Sequence, residues 1–163
     1  PIFACGGTID KYIGDEIFAV FGIPEPSGDD AAKALRCADM MLAALDAWNE
    51  ERQSQSGMPL AMGIGLNYGP AVLGDVGSEH SFSFTVIGDT VNTASRLQRL
   101  TRSLETSLIV ADALVYAIKA EPAAAAIADQ LQDQGEITLR GRAGPVRIWT
   151  RAAGRHVDGH VPL

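Results

Sequence analysis

Asn92 and Arg96 are the first residues whose types and spacing suggest chemistry. They lie in the segment FSFTVIGDTVNTASRLQRL, residues 82–100. A helix that begins near Asp89 or Thr90 places both on one face, because residues four apart in a helix are neighbours. An amide and a guanidinium near a helix N-terminus can stabilise phosphate oxygens whose charge changes during a reaction. The same spacing also occurs in polar pairs that only face water, so this pair alone leaves both interpretations open.

Lys11 and Asp15 form a second candidate pair, in the segment GGTIDKYIGDEIFAVFG, residues 6–22. The Gly14-Asp15 dipeptide is typical of a hairpin turn, since glycine tolerates positive φ and aspartate bonds to nearby backbone. A turn aspartate in a cleft offers the hard oxygen ligand that Mg²⁺ prefers. Solvated hairpins also commonly carry a lysine and a turn aspartate, so the pair by itself is weak evidence for a functional site.

Composition limits the class of ligand. The chain has 163 residues, is 47% apolar and carries a net charge of -7, which argues against a nucleic-acid surface. Its arginines nevertheless fall into two groups, a pattern that favours a small anionic ligand over a polymer. No apolar run is long enough to span a bilayer and the first residues lack a secretory signal pattern, so a cytoplasmic location is expected. The grouped arginines are Arg96, Arg99 and Arg102, then Arg140, Arg142, Arg147 and Arg151. Cys5 and Cys37 have no metal-ligand spacing and are expected to be reduced thiols.

The elements that must position these residues alternate between strands and helices. Apolar residues at three-and-four spacing predict a long helix from about Asp30 to Arg52, with Ser27 or Asp29 as its cap. A second helix is expected from Gly88-Asp89-Thr90 to about Thr101 and a short one from Asp112. The predicted strands are 8–13, 16–21, 60–67, 71–76, 82–87, 107–110, 136–139 and 146–150. Close spacing of the middle strands predicts antiparallel neighbours, and the pattern favours an α+β fold with helices on a mostly antiparallel sheet.

Four segments in order make a family resemblance visible. They are GGTIDKYIGDEIFAVFG, MGIGLNYGPAVLGDVGS, FTVIGDTVNTASRL and LRGRAGPVRIW. Together they resemble the catalytic domain of class III nucleotidyl cyclases over about residues 6–149. The resemblance implies a ferredoxin-like βαββαβ antiparallel sheet with helices packed on it, and an adenylate cyclase that converts ATP to 3′,5′-cyclic AMP and pyrophosphate.

The resemblance also assigns base-reading and metal-binding positions. Lys11 matches the residue that reads the purine edge, which is lysine in adenylate cyclases and typically glutamate in guanylate cyclases. Thr85 matches its partner position, where threonine resembles the bacterial and soluble, often bicarbonate-responsive, subgroup. Its hydroxyl can accept from the adenine amino group. Asp15 matches one of two aspartates that hold two Mg²⁺ (or Mn²⁺) ions in this family.

Phosphate contacts follow from the same comparison. Asn92 and Arg96 match the pair that orients the ribose and stabilises the transition state. Arg140 falls where the family usually has a triphosphate-binding lysine, and either Arg140 or Arg142 is the candidate. The implied reaction is in-line attack of the ribose 3′ oxygen on the α-phosphorus.

The resemblance further implies a two-fold homodimer. One subunit would supply the metal aspartates, and the other Lys11, Thr85, Asn92, Arg96 and Arg140. The family's first metal aspartate lies on a strand before the segment that begins at Gly6, and no such block occurs here. We therefore expect residues 1–151 to be a cyclase catalytic domain lacking that strand, with little activity by itself, and residues 152–163 to be a flexible tail.

Three other functions stay open at this point. Guanylate cyclase is disfavoured by Lys11. A catalytically inactive domain that only dimerises is disfavoured by the joint presence of Asp15, Lys11, Asn92 and Arg96, but favoured by the missing carboxylate. A nucleotide-binding module without turnover is the third. An upstream regulatory domain is expected, and no nucleic-acid or membrane contact.

Overall fold

A computed structural model describes residues 1–78, 81–142 and 144–151. The predicted tail lies outside these residues. The described elements comprise two short 3₁₀ helices, at Phe3–Cys5 and Ala125–Gln130, together with eight strands and three α-helices. These are strands β1 (Thr8–Ile13), β2 (Glu16–Val20), β3 (Ile64–Leu66), β4 (Val72–Ser78), β5 (Ser81–Ile87), β6 (Leu108–Ala111), β7 (Leu131–Ile137) and β8 (Val146–Arg151), and helices α1 (Asp30–Ser54), α2 (Asp89–Ser103) and α3 (Asp112–Lys119).

A four-stranded sheet in the order β3-β6-β8-β7 forms the centre of the structure. β3 runs parallel to β6, and β8 runs antiparallel to both β6 and β7. Helices α1 and α3 contribute to the core on one face, and α2 contributes to the core on the other. The α+β class expected from the sequence is confirmed.

Strand β6 shows why the sheet needs cover on both faces. All four of its residues are buried, and they alternate between the two cores. Leu108 and Val110 pack with α1 and α3, while Ile109 and Ala111 pack on the α2 side. Successive strand side chains point to opposite faces, so an unbroken apolar run such as LIVA belongs to a strand between two helical layers.

Two hairpins complete the described structure, each forming a two-stranded antiparallel sheet. β1 pairs with β2 around Gly14, whose φ of 64° is the left-handed value that the turn requires. β4 pairs with β5, with Thr85 opposite Gly74. The register of β1 shifts between Ile9 and Lys11, which leaves Asp10 as the extra residue of a β-bulge.

Two predicted strands were placed wrongly. The strand expected at 60–67 is only Ile64–Leu66, and it pairs in parallel with β6 instead of lying beside β4. The amide and carbonyl of Leu60 are instead bonded to the side chain of Asn49, each at 2.8 Å. This side chain replaces a neighbouring strand as the partner of that backbone.

The strand expected at 136–139 is instead β7, Leu131–Ile137. Its sequence LQDQGEI has no alternation of apolar and polar residues. Three consecutive polar residues, Gln132, Asp133 and Gln134, are exposed. The pairing shifts between Asp133 and Glu136, around Gly135 at a φ of 80°. The Gly135 amide donates to the Asp133 carboxylate at 2.8 Å, and this bond, together with Arg147, lowers the pKa of Asp133. A bulge stabilised in this way gives no simple sequence pattern.

The cysteines are free thiols, as expected, with Cys37 buried on α1. Burial raises the pKa of Cys37 to about 11, and the neighbouring Cys5 thiol adds to the shift. Over the described part of the chain, no helix combines the length and the apolarity that a membrane span requires.

At Gly65 the backbone of α2 packs directly against strand β3. A Cβ there would lie 2.3 Å from the backbone nitrogen of Gln98 and 2.4 Å from the carbonyl oxygen of Ala94. Gly65→Ala should therefore lower the free energy of unfolding by about 1–3 kcal/mol, as overpacking does. Urea denaturation measures the loss. Gly74→Ala is the matched control, because nothing lies within 4 Å of its added Cβ; an equal loss in both variants would contradict the packing explanation.

Candidate functional site

The bulge at Asp10 brings two consecutive residues of β1 to one place. In a regular strand Asp10 and Lys11 would point to opposite faces. Here the Lys11 ammonium lies 2.9 Å from Oδ2 of Asp10. The Asp10 side chain is only 5% exposed, whereas that of Lys11 is 35% exposed. Lys11 is therefore held by a buried carboxylate while part of its surface still faces solvent.

Thr85 on β5 completes this group. The Lys11 ammonium donates to Oγ1 of Thr85, and the Thr85 hydroxyl lies 3.3 Å from Oδ2 of Asp10, within donating distance. The two residues that sequence analysis paired across 74 positions thus meet in one chain and join the two hairpins. We call Asp10, Lys11 and Thr85 the hairpin triad.

Asp10 is the member of the triad that sequence reasoning missed. Its position directly before Lys11 is visible in the sequence, but strand alternation assigns it to the opposite face. Only the one-residue register shift reverses that assignment. A sequence offers no direct signal for such a bulge, so the role of Asp10 required the fold.

Asp15 lies in the β1–β2 turn and is exposed. Its carboxylate has the oxygen chemistry that Mg²⁺ prefers. Within the described residues, however, no three His, Cys, Asp or Glu side chains come together as a metal cluster. The Asp15 carboxylate therefore matches a divalent ion in ligand type, and by itself it can supply only part of a coordination shell.

Helix α2 carries the second group. Asn92 is exposed and Arg96 is half-buried, one helical turn apart. Nη1 of Arg96 is buried and has no hydrogen-bond acceptor among the described residues. A Cβ on Gly141 would lie 3.6 Å from Nη2 of Arg96, so the β7–β8 loop passes close to the guanidinium. A buried guanidinium N–H without an acceptor is costly, and an anionic ligand would satisfy it.

The same loop separates the two arginines that sequence analysis left as alternatives. Nη1 of Arg142 donates to the hydroxyl of Thr93 at 3.1 Å, and its Nε lies 3.7 Å from Oδ2 of Asp89. Arg140 is exposed, with no hydrogen bond or ion pair to another described residue. Arg142 therefore fastens the loop to the first turn of α2, while Arg140 extends from it.

One chain brings together only part of the predicted site. Lys11 meets Thr85, and Arg96 lies beside the loop that carries Arg140. No hydrogen bond or ion pair between described residues connects Asp15 to either group. Within the described residues of one chain, the surfaces that bear the cationic groups and the amide are therefore not bonded to the Asp15 carboxylate.

Comparison with known proteins gives a consistent result. The family profile described as adenylate and guanylate cyclase catalytic domain matches residues 9–150. The chain is 41% identical over 114 residues to an adenylate cyclase of Anabaena cylindrica, covering 68% of this chain and 22% of that protein. It is 35% identical over 119 residues to adenylate cyclase 1 of Rhizobium meliloti, covering 72% of this chain and 18% of that protein. The chain therefore spans about a fifth of the length of these relatives.

Solved structures show the same fold. The adenylyl cyclase CyaB from P. aeruginosa superposes with a TM-score of 0.75 at 26% identity, covering 94% of this chain and 75% of that one. The guanylyl cyclase Cya2 gives a TM-score of 0.73 at 31% identity, covering 97% and 76%.

The contribution of Arg142 to stability can be separated from that of Arg140. The ion pair to Asp89 is largely exposed and contributes little, whereas the bond to the fully buried Thr93 is worth about 0.5–1.5 kcal/mol. Arg142→Ala and Thr93→Val should each lower the free energy of unfolding by about 1 kcal/mol, and non-additively. Arg140→Ala is the control and should be near neutral in urea denaturation. Equal losses for both arginines would contradict this assignment.

Proposed function

Since this chain belongs to the adenylate and guanylate cyclase catalytic-domain family, we propose that it is an adenylate cyclase that converts ATP to 3′,5′-cyclic AMP and pyrophosphate. The observation that carries this proposal is the contact of Lys11 with Thr85. It juxtaposes an ammonium donor and a hydroxyl at a contact between the two hairpins.

The chemistry of that pair favours adenine. The Watson–Crick edge of adenine has an acceptor at N1 and a donor at its amino group, and guanine has the reverse at the equivalent atoms. An ammonium can only donate, and a threonine hydroxyl can accept. The pair therefore complements adenine. Guanylate cyclase activity is the alternative. The similarity to the guanylyl cyclase Cya2 favours it, whereas Lys11 disfavours it.

The phosphates are assigned to α2 and to the loop beside it. Arg96 has a buried Nη1 that lacks an acceptor, and Asn92 lies exposed one turn earlier. We assign these two side chains to the ribose and to the phosphorus under attack. Arg140 is assigned to the triphosphate, because the guanidinium of Arg142 is already bound to Thr93. A guanidinium offers paired donors that match phosphate oxygens.

The reaction is attack of the ribose 3′ oxygen on the α-phosphorus, with pyrophosphate as the leaving group. Asp15 would hold Mg²⁺ or Mn²⁺, and two such ions would supply charge neutralisation and an activated hydroxyl when bound. Asp15 is one carboxylate, and no cluster of three or more candidate ligands forms around it among the described residues of one chain. For this reason residues 1–151 by themselves are proposed to have little activity.

A homodimer would bring the separate surfaces together. Large apolar side chains are exposed on both hairpins, with Tyr12 at 67%, Ile13 at 55% and Val72 at 66% exposure. Exposed large apolar side chains on both hairpins favour a protein interface on this part of the chain. In the proposed dimer, Asp15 of one protomer faces the triad and α2 of its partner.

An upstream regulatory domain and a cytoplasmic location are also proposed. The relatives are about five times as long as the segment that this chain matches, which leaves length for further domains in such proteins. ATP as substrate is consistent with the cytoplasm.

Removing the Arg96 guanidinium tests the enzyme assignment. In the complete natural polypeptide, Arg96→Ala should lower kcat for cyclic AMP formation from Mn²⁺ and ATP by about 100-fold or more, because a donor to the developing charge is lost. Arg99→Ala, an exposed arginine on the same helix, is the matched control and should retain activity. A wild-type protein that binds ATP without forming cyclic AMP would instead support the inactive binding domain.

Shared sites can be tested by mixing two inactive variants. Asp15→Ala and Arg96→Ala each damage both sites of a homodimer, but a mixed dimer keeps one intact site. An equimolar mixture that exchanges subunits should therefore regain about a quarter of wild-type activity, since about half the dimers are mixed with one site each. Activity no higher than that of the separate variants, with exchange verified, would place the whole site within one protomer.

A further inference from the structure

The hairpin triad fixes the direction of every hydrogen bond at its centre. The Thr85 hydroxyl has one proton and two lone pairs. Lys11 can only donate, so its ammonium occupies one of those lone pairs. The Asp10 carboxylate accepts from the Lys11 ammonium and from the Thr85 hydroxyl, so the hydroxyl proton points to its Oδ2. One lone pair of Thr85 is left to accept from a ligand.

The same count applies to the Lys11 ammonium. Of its three protons, one goes to Asp10 and one to Thr85. The third has no acceptor among the described residues and can be donated to a ligand. The triad therefore presents one donor and one acceptor side by side, and the hydroxyl cannot rotate to donate outward without losing its bond to Asp10.

We propose that Asp10 is a positioning residue for base selectivity, which acts by fixing the Thr85 hydroxyl as an acceptor towards the incoming base. This inference rests on the proposed function and extends it. Threonine alone is a poor discriminator, because a free hydroxyl can accept from the adenine amino group or donate to the guanine oxygen. Because the hydroxyl proton of Thr85 bonds to Asp10, the Thr85 oxygen can only accept from a ligand. The guanine carbonyl oxygen is also an acceptor, so guanine cannot form this hydrogen bond.

Burial makes this control effective. The Asp10 side chain is 5% exposed, so water has little access to replace the carboxylate as the proton acceptor. The β-bulge is what makes the contact possible, since it turns Asp10 to the side on which Lys11 meets Thr85. Asp10 itself need not touch the nucleotide.

Asp10→Leu is the direct test, because it removes both carboxylate oxygens and keeps a buried side chain of similar size. Asp10→Asn is the matched control, since its amide oxygen can still accept from both Lys11 and Thr85. In the complete natural polypeptide, the ratio of kcat/KM for ATP to that for GTP should fall about tenfold in Asp10→Leu and recover largely in Asp10→Asn. A purely structural role would lower kcat/KM for both nucleotides together and leave the ratio of the two values unchanged.

Two further measurements keep the inference separable from the proposed function. The Kd values for 3′-deoxy-ATP and 3′-deoxy-GTP, which lack the attacking hydroxyl, report selectivity even if the wild type forms no cyclic nucleotide. In a Thr85→Val background, Asp10→Leu should change the ratio no further, because the group through which it acts is gone. Circular dichroism melting verifies folding, and Asp10→Ala replaces the leucine variant if that one does not fold.

An unchanged ATP-to-GTP ratio in folded Asp10→Leu would overturn the role of Asp10. An equal fall of the ratio with and without the Thr85 hydroxyl would also overturn it. Neither result would contradict adenylate cyclase activity, whereas a wild type that makes no cyclic AMP would contradict the activity and leave the binding ratios as the test of Asp10.

Discussion

The contact among Asp10, Lys11 and Thr85 joins the two hairpins of the structure, and the proposed substrate preference depends on it. It exists because one extra residue in β1 places a buried carboxylate beside the lysine that follows it. A carboxylate that accepts from both partners orders a flexible ammonium and a rotatable hydroxyl at once. Without the bulge, Asp10 would face away from Lys11 and Thr85, and the hydroxyl would have no fixed direction.

The groups proposed to bind phosphate depend on a different constraint, the close approach of α2 to the sheet. Gly65 lets the backbone of α2 pack at a distance that no side chain would allow. Arg142 then fastens the β7–β8 loop to the first turn of the helix through Thr93, so the loop runs beside Arg96. The buried Nη1 of Arg96 is left without an acceptor among the described residues. The proposed phosphate ligand would accept a hydrogen bond from that unsatisfied donor.

Among the described residues, no hydrogen bond or ion pair links these groups to Asp15, which is exposed in the turn of the first hairpin. A single chain therefore carries the residues proposed for a nucleotide site without a direct contact between its carboxylate and its cationic donors. Apolar exposure on both hairpins offers a surface on which two copies could meet. The proposed dimer thus follows from an incomplete arrangement within one protomer, and it explains why the residues of one family motif need not touch one another.

The sequence by itself determined the family and the α+β class, because ordered motifs and local periodicity are contained in short stretches of residues. The pairing of Lys11 with Thr85 was an implication of the family resemblance, and the contact between them is seen only in the fold. The sequence also located α1, α2 and both hairpins to within a few residues. It misplaced β3 and β7, since the Leu60 backbone bonds to the Asn49 side chain and since a bulge interrupts LQDQGEI. Only the tertiary structure brought Asp10 into the site and separated Arg142 from Arg140. Both outcomes depend on a register shift or a loop contact between distant segments, and no local pattern encodes which neighbour a side chain will meet.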